Sequence, residues 1–335
     1  MMIEASKTTT PPAGARHFAL IADRLERTDE LFRRSLASDV PFIEEAGQYI
    51  FNGGGKRMRP ALVLLAASML EHDGEEEVTY AAVVELIHSA TLIHDDIIDH
   101  ATLRRSKPTV NKVWGNSKTV LLGDWLYTTA MSMALSHGNL AVVRRLCDAT
   151  LRMTEGELLA LDRLGAIDLS REEYFAIIER KTSRLFAAAA SVPALMTPAR
   201  SDAAATLAAY GRALGTCFQL VDDLLDFTAR EHELGKPVLS DLKEGKLTLP
   251  LLLALPRIDA RRRGWIAQVL EDGAFARVEP ERIVEIVVSE GTLDETRELA
   301  QDYAREAQQQ LALFPPSEAR DALEFAPDFV LNRRH

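Results

Sequence analysis

Two stretches of this chain carry three aspartates in one pattern. Asp95, Asp96 and Asp99 stand in the run HDDIID, and Asp222, Asp223 and Asp226 in the run VDDLLD. Each emerges from an apolar, helix-like run. On a helix, residues four apart share a face about one turn, ~5.4 Å, along the axis. Asp95 therefore projects with Asp99, and Asp222 with Asp226, with Gln219 a turn before them. Aligned carboxylates repel unless a cation sits between them. Mg²⁺ suits such a pair, because it prefers oxygen ligands and keeps positions open for phosphate oxygens. The alternative is a solvated row of charges at a helix C-terminus, which is the wrong end of the dipole for carboxylates. Something positive must compensate there, either a metal or the following Arg104 and Arg105. A metal phosphohydrolase site built on His88, His94 and Asp95 would need a distant ligand set that is not evident.

Cationic anchors for an anion are also present. Lys56 and Arg59 follow Gly53, Gly54 and Gly55 at a helix start near Pro60. Free N–H groups and the dipole favour an anion at such a start, proline suits a first turn, and arginine adds a fork for phosphate. The spacing is not that of a P-loop, and a plain glycine linker beside solvated charges is the competing reading. Lys236 and Lys246 flank a turn-rich loop containing Gly235, Pro237 and Gly245. As surface pairs they would contribute little; as tethers for a metal-bound diphosphate they make sense. Two carboxylate clusters, scattered cations and apolar helices together suit a diphosphate leaving group with a long apolar tail.

The elements that must position these residues are helical. Aromatic residues are only 6% of the 335, and alanine and leucine are abundant, which favours helices over sheets. Apolar spacing predicts helices over about 17–36, 41–51, 60–70, 78–99, 120–135, 140–162, 171–190 and 202–227, then shorter ones from 247. A basic loop follows the first motif, and Pro193 and Pro198 are expected to break the pattern. No period-two alternation recurs, so the expected fold is all-α, one bundle over 15–335 after a disordered tail over 1–14. A net charge of −11 argues against non-specific nucleic-acid binding. Cys147 and Cys217 sit in apolar contexts and read as buried small hydrophobes. The N-terminal stretch lacks a signal-like apolar region and no run reaches ~20 apolar residues, so a cytoplasmic protein without a membrane span is expected.

These residues resemble the trans-prenyltransferases, the all-trans polyprenyl diphosphate synthases of the isoprenoid-synthase fold. GGGKRMRP is similar to the family's GGKRxRP, DDIID with Arg104 and Arg105 to its first aspartate motif, and DDLLD to its second. Leu122 to Leu126, Glu155-Gly156-Glu157, Lys181-Thr182 and Gly235-Lys236-Pro237 also match, so the likeness spans nearly the whole chain after the tail. The resemblance implies a helical bundle around an apolar cavity, and a homodimer. It implies Asp95, Asp99 and Asp222 as ligands of Mg²⁺ ions, about three to a site. Arg104, Lys181, Lys236 and Lys246 would hold an allylic diphosphate (farnesyl or geranyl), while Lys56, Arg59, His88 and Arg105 would hold isopentenyl diphosphate. Thr182 and Gln219 would line the reacting centre. One departure is Leu239-Ser240, where many relatives have Gly-Asn, which puts the local loop shape in question.

The expected reaction is ionisation of the allylic substrate in a dry site, attack by the isopentenyl double bond and loss of a proton. Small residues below the first motif, Ala90 and Thr91, leave room for a long tail, with Met131, Met133 and Ala134 as a deeper floor. Simple helix packing is the competing explanation. The expected product has about eight to ten isoprene units, suited to a quinone side chain. Alternatives are a shorter farnesyl or geranylgeranyl product, a terpene cyclase, or a non-catalytic subunit of a heteromeric synthase.

Overall fold

Helical periodicity becomes helix almost everywhere in the computed structural model, which describes residues 17–333 except 73, 198–199 and 229–238. The expected disordered tail over 1–14 and Lys236 lie outside the described residues. In chain order the helices are α1 Ala22–Ser35, α2 Pro41–Phe51, α3 Met58–Met69 and α4 Glu76–Ile98, followed by α5 Val110–Trp114, α6 Asn116–Leu135 and α7 Leu140–Asp162. Then come α8 Arg171–Ile178, a π-helical turn Glu179–Ser183, α9 Arg184–Met196 and α10 Ala203–Thr228. The remainder comprises α11 Ser240–Lys243, α12 Leu249–Ala254, α13 Ala260–Asp272, α14 Pro280–Ser289, α15 Thr292–Leu311 and α16 Glu318–Leu331. Buried apolar residues from Ile21 to Val330 form one continuous cluster.

Two helices are central. From Tyr80 to Ile87 every residue of α4 is buried, so this helix has no solvent face there and must be surrounded. It packs against α1, α3 and α6, while α10 packs against α9, α15 and α16. Each aspartate motif falls near the C-terminal end of one of these two helices. The all-α expectation holds, with one small addition. The basic loop after the first motif contains a two-residue hairpin, in which Leu103 pairs with Pro108 and Arg104 with Lys107. Arg105 and Ser106 form its turn, both at positive φ (51° and 62°), as a tight hairpin turn requires.

Three local expectations need correction. Pro193 does not end its helix; it lies fully inside α9, one turn before the end. Its ring removes one backbone hydrogen bond, and burial of Leu185, Phe186 and their neighbours outweighs that loss. The segment 171–190 is not one α-helix either, because the π-turn at Glu179–Ser183 interrupts it at Lys181-Thr182. Cys217 is buried as expected, and burial pushes its thiol up to about 12. Cys147 is exposed. It shares an outward stripe of α7 with Leu140, Leu151 and Leu158, which are 71%, 57% and 58% exposed.

Candidate active site

The first motif closes α4 by sending its three carboxylates to different work. Burial pushes the Asp95 carboxyl up to about 6, with Lys181 opposing and Glu157 and Asp99 adding to the rise. Asp99 accepts Lys246 at 2.8 Å. Asp96 is buried and turns away from them, taking Arg104 through Nε at 2.9 Å and Nη2 at 2.8 Å. Burial raises its carboxyl, and Arg104 counters that. His94 goes elsewhere. Its Nε2 lies 3.1 Å from the Val120 carbonyl and 3.5 Å from Asp124, both on α6, so it forms no cluster with His88 and Asp95.

A ring of cations faces this motif. The glycine loop delivers Lys56 and Arg59 because Arg57, in the left-handed region at φ 49°, is pinned from several sides. Arg57 pairs with Asp29 at 2.8 Å and Glu85 at 2.6 Å, and its guanidinium lies over the Phe32 and Phe51 rings. Arg105, at the hairpin tip, donates to the Gly53 and Gly54 carbonyls and so ties hairpin to loop. A cavity of about 90 Å³ lies between them, lined by Gly53, Gly54, Arg57, His88, Arg104 and Arg105 among others.

The cations repel one another. Burial first, then Arg59, Arg104, Arg105 and Arg57, hold the His88 imidazole well below its usual range. Burial lowers Arg59 to about 10, with Glu85 countering and Arg333 adding to the fall. Lys56 falls to about 8, through burial and then Arg333, with Asp222 opposing. Like charges gathered at partial burial call for an anion.

The second motif spends its aspartates differently. Asp223 is 2% exposed and accepts Tyr174 Oη at 2.6 Å, Gln219 Nε2 at 3.0 Å and the Leu249 N–H at 3.2 Å. Asp226 was expected to share a helix face with Asp222, which alone of the two was expected to hold metal. Asp226 is 2% exposed and accepts Ser240 N–H at 3.0 Å, Ser240 Oγ at 2.9 Å and the Asp241 N–H at 3.3 Å. This clamp also answers the Leu239 departure. Leu239 takes φ 54°, where glycine would be easier, and holds it because its side chain is fully buried and its N–H meets the Asp226 carbonyl at 3.0 Å. Asp222 alone stays half-exposed, 3.7 Å from Arg333.

Between the motifs, Thr182 Oγ1 donates to Gln219 Oε1 at 2.9 Å, so the chain Tyr174, Asp223, Gln219, Thr182 is continuous. The π-turn makes this possible by setting Lys181 and Thr182 against α7, where Gly156 leaves no room for a side chain. A Cβ on Gly156 would stand 2.8 Å from the Lys181 backbone nitrogen. Lys181 then pairs with Glu157 and Lys246 with Glu244 as well as Asp99. Sequence reasoning did not assign Glu157, Glu244, Arg57, Tyr174 or Arg333. Only the Glu155-Gly156-Glu157 run, for Glu157, and the GGGKRMRP run, for Arg57, carried a signal for any of them.

Donor chemistry fits a divalent cation. Asp95, Asp99 and Asp222 offer oxygen only, and Asp95 is a desolvated carboxylate that a cation would relieve. Deeper along α4, Ala90 is buried, while Thr91 is half-buried and donates to the His88 carbonyl at 2.8 Å. On α6, Ala134 is fully buried and Met133 packs against the core, whereas Met131 is half-buried and stands off that stripe.

The model of the Polyprenyl synthetase family matches residues 40–287. The chain belongs to that family. It is a prenyltransferase, and the family's substrates are isopentenyl and allylic diphosphates, bound with divalent metal. It is 40% identical over 304 residues to octaprenyl diphosphate synthase of Escherichia coli (strain K12), covering 91% of this chain and 94% of the relative. A polyprenyl synthase from Caulobacter crescentus CB15, crystallised with calcium and isoprenyl diphosphate, superposes with a TM-score of 0.92 at 35% identity, covering 98% of this chain and 100% of that one. A decaprenyl diphosphate synthase from Rhodobacter capsulatus does so at 0.90 and 34% identity, covering 96% and 99%. Among the described residues no helix is long and apolar enough to cross a membrane.

Proposed function

We propose that the chain is an all-trans polyprenyl diphosphate synthase that condenses isopentenyl diphosphate repeatedly onto farnesyl or geranyl diphosphate. The product is about eight to ten isoprene units long and serves as a quinone side chain. The observation that carries this reading is a cation cluster of Lys56, Arg59, His88 and Arg105 that is separate from the Lys181 and Lys246 beside Asp95 and Asp99. Two separate cation groups suit two diphosphates, which elongation needs and a cyclase does not.

Asp95, Asp99 and Asp222 would hold about three Mg²⁺ ions, which when bound neutralise the departing diphosphate. Lys181 and Lys246 leave Glu157, Glu244 and Asp99 to take the allylic diphosphate with Arg104, and Lys236 completes that group. Lys56, Arg59, Arg105 and His88 hold isopentenyl diphosphate through its own phosphates. Thr182 and Gln219 turn oxygen lone pairs toward the positive allylic carbon as the C–O bond breaks. Those dipoles are pre-set by Asp223, so no reorganisation is needed during reaction. The isopentenyl double bond attacks, and its proton leaves to the released diphosphate.

The tail runs past Ala90 and Thr91 toward Ala134, Met133 and Met131. The exposed leucine stripe of α7 supports a homodimer, since a contiguous apolar face marks an interface. Residues 15–335 act as one catalytic unit. Incubation with Mg²⁺, labelled isopentenyl diphosphate and farnesyl diphosphate, followed by product sizing, tests the reading. A product near C40 or longer is expected, and termination at fifteen or twenty carbons would overturn the long-chain assignment. Ala90→Phe should shorten the product while ionisation continues; unchanged length would put the tail elsewhere.

A further inference from the structure

The turn between α3 and α4, at the far end of α4 from the aspartates, brings together residues that the prenyl-transfer reading does not use. His72, Glu76 and Glu77 each offer a ligand atom, and these atoms lie within 4.8 Å of one another, the one such group among the described residues. His72 Nε2 is 3.1 Å from Glu76 Oε2 and 3.6 Å from Glu77 Oε2. Metal bonds of about 2.0–2.2 Å at tetrahedral angles put ligand atoms about 3.3–3.6 Å apart, so the two histidine–carboxylate separations need little change.

Two acidic residues in a first helical turn are ordinary, because the helix dipole favours them there. Glu77 is not ordinary. It is 3% exposed, and its Oε2, which faces His72, has no hydrogen-bond partner. A buried carboxylate oxygen left unmade is costly, and a cation at that point removes the cost. Arg24 approaches only the other oxygen, at 3.7 Å.

The histidine is already oriented as a metal ligand. Its Nδ1 lies 3.2 Å from Thr197 Oγ1. In the metal-free protein Nε2 hydrogen-bonds Glu76 Oε2 at 3.1 Å, and an ion there would take its lone pair while the Nδ1 proton is donated to that hydroxyl. A partner on the second ring nitrogen is the usual support of a ligating imidazole. The backbone leaves space on the near side. A Cβ on Gly74 would collide with Glu76 Oε2 and stand 2.6 Å from His72 Nε2. The Glu76 side chain is 42% exposed and opens a path for entry.

We propose that His72, Glu76 and Glu77 bind a divalent transition ion of the Zn²⁺ class, with water as the fourth ligand. One imidazole and two carboxylates suit Zn²⁺ or Co²⁺ better than Mg²⁺. The ion clips the start of α4 to the end of α9 through Thr197. It sits about 28 Å along α4 from Asp95, at 1.5 Å per residue, so it is a site apart from the diphosphate centre.

The test uses the full chain, stripped with chelator, in excess Mg²⁺ and inorganic diphosphate so that the aspartate site is filled. Titration with Zn²⁺ should then show one further equivalent, and Co²⁺ should give the intense visible bands of tetrahedral coordination. Glu77→Gln and His72→Ala should each weaken Zn²⁺ at least about tenfold, and Thr197→Val about tenfold. All three should keep the Mg²⁺-dependent rate but lose the rise in melting temperature that Zn²⁺ gives the parent. Equal Zn²⁺ affinity and equal Co²⁺ spectra in parent and variants would overturn the proposal. So would the absence of the extra equivalent. Should His72→Ala fail to fold, the near-isosteric Glu77→Gln decides the outcome alone.

Discussion

The two aspartate motifs have the same letters and the same spacing, yet they differ in how many carboxylates reach the site. At the end of α4, Asp95 and Asp99 lie beside Lys181 and Lys246, and only Asp96 is withdrawn, onto Arg104. Near the end of α10, only Asp222 is half-exposed, while Asp223 and Asp226 are buried acceptors. The difference comes from the path the chain takes beyond each helix. After α4 the chain turns out into a hairpin, which leaves the face open. After α10 it returns as residues 239–249 across the helix end, and its backbone N–H groups take Asp226 and Asp223. A repeated motif is therefore a repeated helix face, not a repeated function.

The largest effect that would sharpen this contrast is on turnover. Asp95→Asn should lower kcat/KM by about 10²–10³ or more, the usual loss when one electrostatic stabiliser is removed. The same change at Asp223 should cost much less, because its oxygens already serve Tyr174, Gln219 and Leu249. Equal losses in an isopentenyl-incorporation assay would break the comparison.

Stability should show the reverse order. Asp226→Ala strands the Ser240 and Asp241 N–H groups and should cost about 2–4 kcal/mol in urea unfolding. Asp99→Ala removes only an ion pair to a partly exposed lysine and should stay well below that. Between the two is Tyr174→Phe, which leaves one Asp223 oxygen with the Leu249 N–H alone and should cost about 1–3 kcal/mol. Turnover should fall modestly in this variant, through Gln219.

The smallest effect concerns pH. Lys56 falls to about 8, lowered by burial and Arg333 and supported by the charge of Asp222. A base with a lowered pKa loses its charge at lower pH, so kcat/KM for isopentenyl diphosphate should decline as pH rises through about 8. Asp222→Asn removes the support and should move that decline to lower pH, whereas Asp95→Asn should leave it in place. A basic limb that moves equally in both variants would contradict the assignment.

Much of the site was legible because helical periodicity is local. Spacing placed Asp95 with Asp99, put Lys56 and Arg59 at a helix start, and set Gln219 one turn before the second motif. The hairpin was missed because its turn residues, Arg105 and Ser106, are not the glycine or asparagine that usually mark positive φ. Pro193 was misjudged because its cost is local while its compensation is burial against distant segments.

What the sequence by itself determined is which residues share a face: all-α helices, two aspartate rows and a glycine loop carrying cations. Tertiary structure alone decided which of those faces remained open. Asp222 and Asp226 lie on one stripe in any helix, but the loop returning through Ser240 takes one and leaves the other. Likewise, nothing near His72 in the chain announces Thr197, which reaches it from the end of α9, 125 residues further along the chain. Spacing along a helix depends on the backbone geometry of neighbouring residues, whereas occupancy of a face depends on segments that meet only once the whole core has formed.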